Sequence, residues 1–407
     1  MSLQLTAADQ AMLAGEEGEG VALAMRVLVA TAEAMGAERL LDIESAHVDG
    51  CLYHGPSGLD FARALVDGGA RVRVPTTLNV SSLDLLHPEL VRLDRRAADE
   101  AKALMDAYVA LGCRPTWTCA PYQLPERPRL GSQIAWGESN AIVFANSVLG
   151  ARTERYGDFL DICAAVTGRA PEVGLHTDEG RRASLVVRAD GLTDALAANE
   201  ALYPLLGHVL GRVADTRVAA ITGLPPSTGE DHLKALGAAA ASAGSVAMFH
   251  AVGSTPEAPT LDELADLEAV TVTAAMLEQA RIELGGADGA EIDAVCVGTP
   301  HYSSRELERL RSLLDGRRCR LPLYVNTSRA ALDDFGRGPE LEACGVRIVT
   351  DTCTYITPIL APGTEVVMTD SAKWAYYAPA NLGVRVVFGS TKDCVESAVA
   401  GEAVITW

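Results

Sequence analysis

The sequence predicts an α/β fold: several parallel or mixed sheets flanked by helices. Short apolar runs alternate with amphipathic or Ala-rich segments along most of the chain, the rhythm of strand–helix–strand units. Hydrophobic residues make up 48% of the chain but aromatic residues only 5%, so the core must be built from Ala, Val and Leu, the material of helices packed on buried parallel strands. The length of 407 residues corresponds to roughly two to three domains at about 150 residues each. We divide it into an N-terminal α/β domain over 1–165, a middle one over 166–285 and a C-terminal one over 286–407.

The elements follow in order. Thr6 is expected to cap a first helix, and Val21 to Met35 reads as an Ala-rich second one. Leu40 to His47 is a predicted strand running into the Cys51 loop. Asp60 to Asp67 reads as helix and Arg71 to Thr77 as strand. Ala97 to Leu111 is helical, and a strand then leads into Cys119. The apolar run Ala141 to Ser147 reads as a strand emptying into a polar loop. In the middle domain, strands are expected at Val173 to His176, Ser184 to Arg188, Arg217 to Thr222, Val246 to Val252 and Val270 to Thr273. Beyond residue 290 the alternation is clearest. Strands Ile292 to Val297, Leu321 to Asn326, Val346 to Thr350, Glu365 to Thr369 and Val384 to Phe388 are interleaved with helices Ser304 to Leu314 and Ser328 to Phe335.

Charge and composition exclude several classes. The net charge is -20, from 54 acidic and 34 basic residues, which argues against nucleic-acid binding, since that needs clustered Lys and Arg. The N-terminus lacks a basic region followed by an apolar stretch, and Val21 to Val29 is interrupted by Arg26 and too short to span a bilayer. The nine cysteines are irregularly spaced with no C-x-x-C pair, so they read as reduced thiols in a cytoplasmic protein. Phosphate-loop, H-E-x-x-H and G-x-S-x-G motifs are absent.

Three cysteines lie in loops rich in Thr, Gly or Pro after apolar strands: Cys51 in Asp49-Gly50-Cys51-Leu52-Tyr53, Cys119 in Thr116-Trp117-Thr118-Cys119-Ala120-Pro121, and Cys353 in Asp351-Thr352-Cys353-Thr354-Tyr355. Carboxyl ends of strands are where open α/β sheets place their chemistry. Iron and iron–sulfur clusters favour thiolate donors, and three protein thiolates leave one iron position for a substrate, where the metal acts as a Lewis acid. Cys163, Cys319, Cys344 and Cys394 read as small buried hydrophobes. Cys296, inside a predicted strand, reads as core and is the alternative third ligand.

Polar loops accompany the thiols. Gly298-Thr299-Pro300-His301 puts His301 at a strand's carboxyl end, able to orient substrate or bond a cluster ligand. Asn146-Ser147 to Thr153 gathers Ser147, Arg152 and Thr153, with Arg152 suited to grip a carboxylate bidentately. Thr369-Asp370-Ser371-Ala372-Lys373 offers Ser371 to line a pocket and Lys373 to pair with an anion. Pro75-Thr76-Thr77-Leu78-Asn79 is the comparable N-terminal loop.

Taken together, these segments resemble the aconitase X family, the compact branch of the aconitase superfamily. The resemblance runs from Leu5-Thr6 and Ser45-Ala46-His47-Val48-Asp49-Gly50 through Thr118-Cys119 and Ala145 to Thr153, to Gly298 to His301, Asp351-Thr352-Cys353 and Ser371-Ala372-Lys373. It implies an aconitase-like fold and a lyase removing water from a hydroxy acid with iron or an iron–sulfur centre. It also implies a small swivelling subunit as partner, with a Ser that would act as base. Two family activities compete: dehydration of cis-3-hydroxy-L-proline and of mevalonate 5-phosphate. Thr299 stands where a Cys is expected in the second type, while Cys51 is present, which favours the first. On this resemblance Cys51, Cys119 and Cys353 would hold a 2Fe–2S cluster, ahead of mononuclear iron or 4Fe–4S. Ser147, His301 and Lys373 are the expected catalytic residues; His47, Thr76, Asn79, Asn146, Arg152, Thr153 and Ser371 are expected to bind substrate. A non-enzymatic iron sensor is the reading from another class, but the polar loops from Asn146 to Arg155 speak against it.

Overall fold

The computed structural model describes residues 3–285 and 291–406, so the expected domain boundary after residue 285 borders residues outside the described set. The chain forms two units: residues 1–83 with 93–182, and residues 84–92 with 183–407.

In the first unit, Thr6 caps α1 (Ala7–Ala14) through a reciprocal box with Asp9, which satisfies two otherwise orphaned backbone donors. There follow α2 (Glu19–Ala34), β1 (Leu40–Asp42), β2 (Ser45–Val48), α3 (Pro56–Asp67), β3 (Thr76–Leu78), α4 (Arg95–Ala110), β4 (Ile134–Trp136), α5 (Ser139–Phe144), α6 (Leu160–Thr167) and β5 (Arg169–Pro171). Strands β3, β2 and β4 form a parallel sheet with β2 central, and β1 pairs antiparallel with β5. Met25, Leu28, Leu65, Tyr108 and Ile162 are among the buried residues of its core.

The second unit carries two further sheets. The first contains β6 (Leu185–Arg188), β7 (Ala219–Thr222), β8 (Phe249–Ala251) and β9 (Ala269–Thr271) in the order β8-β7-β6-β9, with helices α7 (Thr193–Ala198), α8 (Leu202–Ala214), α9 (Glu230–Ala243) and α10 (Ala274–Glu283). The second comprises β10 (Ala294–Tyr302), β11 (Leu323–Thr327), β12 (Val346–Val349), β13 (Val366–Thr369) and β14 (Arg385–Phe388), all parallel, in the order β12-β11-β10-β13-β14. Helices α11 (Ser304–Leu314), α12 (Arg329–Phe335), α13 (Gly338–Ala343), α14 (Ala372–Leu382) and α15 (Thr391–Ala400) connect and cover it. The chain winds from β10 outward to β12, then crosses back to β13. That reversal makes a topological switch point beside β10, the crevice where such sheets bind ligands.

Several expected elements differ from the structure; the strand expected over Arg71 to Thr77 is confined to Thr76–Leu78. Val173 to His176 is no strand: Gly174 turns the chain at φ 55 and Leu175 N–H donates to the Glu154 carboxylate, giving a short 3-10 turn. The Ala141 run is helix α5 followed by a π turn over Ala145–Leu149. It is apolar all round because Phe144 stacks on Tyr122 at 3.9 Å inside the unit, and continuous apolarity does not separate helix from strand. The chain ahead of Cys119 is irregular, with Trp117 at φ 43.

Candidate active site

In the second unit the sequence-predicted residues converge on the carboxyl end of β10. This strand is buried throughout. Gly298 sits at φ 86, and a Cβ there would stand 2.2 Å from the Asn326 carbonyl oxygen, so only glycine lets β10 and β11 approach. Past it the register between these strands shifts, a bulge of the sort that re-aims side chains near functional sites. His301 is thereby fully buried, with Nε2 3.0 Å from the Thr352 carbonyl. A carbonyl only accepts, so Nε2 carries a proton and donates it to that oxygen. One of the imidazole nitrogens lies within 4.8 Å of the buried Cys353 Sγ. A histidine whose second nitrogen is fixed by a carbonyl is the usual arrangement of a metal-binding imidazole.

Residues with no motif hold the Cys353 loop. Asp351 turns the chain at φ 60 after β12. Its carboxylate takes a bidentate bond from Arg329 and accepts from Leu85 N–H at 3.0 Å. Asp84 accepts from Thr350 at both its N–H (2.8 Å) and its hydroxyl (2.9 Å), and from the N–H groups of Leu86 and His87. Arg92 N–H donates to the Pro358 carbonyl. Residues 84–92 thus clasp the loop at both ends. Asn326 completes the frame, donating to the Val297 carbonyl and the Thr354 hydroxyl and accepting from Thr354 N–H.

Ser371 caps α14, accepting from Trp374 N–H while its hydroxyl donates to the Thr299 carbonyl. Lys373 is buried, its ammonium 5.8 Å over the Tyr355 ring. Both line a cavity of about 290 Å³ at the switch point, whose walls also include Lys234, Tyr302, Glu306 and Asp370. Cys296, by contrast, is inside β10, and burial pushes its thiol up to about 12.

In the first unit, His47 is fully buried on β2. Its Nδ1 lies 2.8 Å from the Thr77 hydroxyl, and burial lowers the imidazole to about 3, so it is neutral. His47 Nε2 and Asn79 Oδ1 are buried without a hydrogen-bond partner among the described residues. Asn79 donates its amide to Asp49 and, at 3.4 Å, to Glu138. Burial together with Glu138, Asp158 and Asp161 raises the Asp49 carboxyl well above its ordinary range. Cys119 is buried, and its carbonyl accepts from Asn140, which is itself bonded to the Tyr122 hydroxyl.

Other first-unit candidates serve the frame. Thr76 turns its hydroxyl to the Val74 carbonyl. Asn146 closes the loop onto both N–H and carbonyl of Thr153, and the buried Arg181 bonds Asn146 in turn. The Thr153 hydroxyl accepts from Trp136 N–H. Ser147 is buried on the π turn. Arg152 is paired with Asp178 at 2.5 Å. Cys51 is in the hydrophobic core; its thiol faces the Val48 carbonyl, and burial, Cys113, Asp161 and Asp49 all disfavour its thiolate.

Sequence reading missed Asp84, Asp351, Arg329, Asn326 and Arg181. Each is an isolated polar residue whose partner is remote in sequence. The one available signal was Asp351, two positions before a cysteine already singled out.

Three family models match the chain in succession: the aconitase X first domain over residues 2–179, the second domain over 183–281 and the third domain over 292–400. The chain belongs to the aconitase X family. Among the relatives of this aconitase X chain is a cis-3-hydroxy-L-proline dehydratase of Pseudomonas aeruginosa, 45% identical over 98% of this chain and 70% of that protein. A protein of the same description from Hypocrea jecorina is 42% identical over 98% of this chain and 69% of its own length. The phosphomevalonate dehydratase large subunit of Methanothermobacter thermautotrophicus is 39% identical over 93% of this chain and 95% of that one. The crystal structure of Thermococcus kodakaraensis aconitase X in its holo-form superposes with a TM-score of 0.87 at 33% identity, covering 97% of this chain and all of that one. The α/β, aconitase-like fold expected from sequence is thus the observed one. Among the described residues no helix is long and apolar enough to cross a membrane.

Proposed function

We propose that this chain is a hydro-lyase that dehydrates cis-3-hydroxy-L-proline to Δ1-pyrroline-2-carboxylate, with an iron–sulfur centre and a separate small swivel-domain subunit, in the cytoplasm. The observation that carries the reading is the buried His301–Cys353 pair beyond the carboxyl ends of β10 and β12, in a chain 45% identical to a dehydratase of that substrate. Named large subunits among the relatives support the partner.

The donor set fits such a centre: a thiol and an imidazole whose Nε2 is held on a backbone carbonyl, both shielded from water. Cys353 and Cys119 would hold it, with His301 or Cys51 as the third ligand and 2Fe–2S as the favoured form. When bound, such a group supplies Lewis acidity that weakens the substrate's C3–O bond. The chain's own residues bind and orient. Asn79 Oδ1 is a buried acceptor suited to the ring ammonium, and His47 Nε2 faces the same demand for a partner. Each unsatisfied buried polar atom costs about 1–3 kcal/mol, which a ligand bonding it recovers. Lys373 would pair with the carboxylate and Ser371 would line the pocket, with Ser147 nearby in sequence to Asn146 as a further orienting hydroxyl. The proton leaves C2, taken by a base on the small subunit, and the hydroxyl departs as water. The resulting enamine tautomerises to the Δ1-imine.

The test is anaerobic co-purification with the small subunit. Iron, sulfide and the visible spectrum are measured alongside turnover of cis-3-hydroxy-L-proline, with mevalonate 5-phosphate as competitor. Iron-dependent turnover of the proline supports the reading; preference for the phosphate overturns the substrate. Full activity without iron removes the mechanism, and bound iron without turnover points to a sensor.

A further inference from the structure

Lysine is almost never fully buried unless paired, and Lys234 on α9 is only 4% exposed. Its ammonium forms an ion pair with Glu306 and lies 3.3 Å from the carbonyl oxygen of His301, with Asp231 3.8 Å away. Glu306 is itself fixed, because it completes the capping box of α11 by accepting from Ser303 N–H at 2.7 Å. The His301 carbonyl lies where the β10–β11 register breaks, between Val297 and Tyr302. A buried carbonyl released from its ladder requires another donor. Lys234 supplies it from a helix that belongs to the neighbouring sheet of the same unit.

A buried ion pair is weak evidence for stability, since well-packed apolar replacements are often neutral or better. What the pair does achieve here is geometric. It pins the peptide of a residue whose ring holds Nε2–H on the Thr352 carbonyl. We propose that Lys234, anchored by Glu306, is a positioning residue that sets the backbone at His301 and thereby the orientation of its imidazole beside Cys353. The proposal rests on the assignment of His301 to the metal site.

The test uses the full chain. K234M alone would leave Glu306 buried without its counter-charge, so the decisive variant is K234M/E306L, which removes both charges. Circular dichroism establishes that it folds. In metal-free protein labelled with 15N-histidine, the His301 signal is identified by its loss in H301Q. Wild type should show one tautomer with the proton on Nε2; the double variant should show a mixture. After anaerobic loading, iron release to a chelator should be about 10–100-fold faster in the variant, the usual effect of losing a residue that orients a ligand. A folded double variant with the wild-type tautomer and wild-type iron retention overturns the proposal. A changed tautomer in a protein that binds no iron even as wild type supports the positioning role while removing the metal reading.

Discussion

In the first unit the histidine at the sheet's carboxyl end, His47, has one buried ring nitrogen without a partner among the described residues, as does the side-chain oxygen of Asn79. In the second, its counterpart His301 has Nε2 fixed on a backbone carbonyl and stands beside Cys353. Both imidazoles are fully buried, and both lie on a parallel strand. What separates them is where the hydrogen bonds go. The second unit has its donors oriented in advance, as a metal-binding frame requires. The first carries unmet hydrogen-bonding capacity, which favours binding a polar ligand. The contrast gives the two units different expected roles, which substitution in each can test separately.

The largest test of that division is at the thiols. C353A should abolish iron retention and lower kcat by at least about 1,000-fold, roughly 4 kcal/mol. C163A, in the α6 core, should keep both and lose only about 1 kcal/mol of stability in a urea titration. Equal behaviour of the two variants would remove Cys353 from the site. At the histidines, H47N should raise KM about tenfold or more, the loss of one buried hydrogen bond to a ligand, with iron content unchanged. H301N should instead shed iron. If both shed iron, the contrast between the units fails.

Next comes the frame. D84A strands the Thr350 N–H and hydroxyl in a buried site, so it should cost about 1–3 kcal/mol in denaturant midpoint and loosen iron. D178A, which removes an exposed partner of Arg152, should cost at most about 1 kcal/mol. A larger loss from D178A would reverse the ranking of the two loops.

The smallest effect is in pH. His176 is lowered to about 4 by burial and by the nearby Arg181 and Arg152. The unfolded chain takes up its proton below about 6.5 but the folded chain only near 4, so stability falls as pH drops through that window. Burial raises Asp161 to about 7 from 3.8, which has the opposite sign: the folded state keeps a proton that the unfolded state releases, and stability is lost as pH rises toward 7. H176Q should flatten the acid limb of a pH–stability curve, and D161N the neutral limb. An unchanged acid limb in H176Q would show that the first unit does not hold that histidine neutral.

The fold was legible where local chemistry and periodicity agree. Ser303 and Glu306 announce α11, and the Val-rich strands β10 to β14 stand out because both faces are buried. The positions of His301, Cys353 and Ser371 near the carboxyl ends of β10, β12 and β13 were legible because those strands are. The sequence neighbours of Arg152 suggest a carboxylate clamp; its pairing with Asp178 has no local signature. Cys51 has a loop like that of Cys119, yet its surroundings are core. Asn326, Asp84 and Lys234 were invisible for one reason. Their partners are chosen by tertiary proximity, and a single polar residue in an apolar or loop segment carries no period.

The clasp formed by residues 84–92 also bears on how the molecule assembles. Asp84 and Thr350 are separated by 266 positions, and bonds of that span close late, because the entropy of so large a loop must be met before the contact contributes. During synthesis the carboxylate emerges long before the loop it will hold. Expression of residues 183–407 alone would therefore give a β12 end whose Thr350 lacks its acceptor, and supplying residues 84–92 as a peptide should restore protease resistance there.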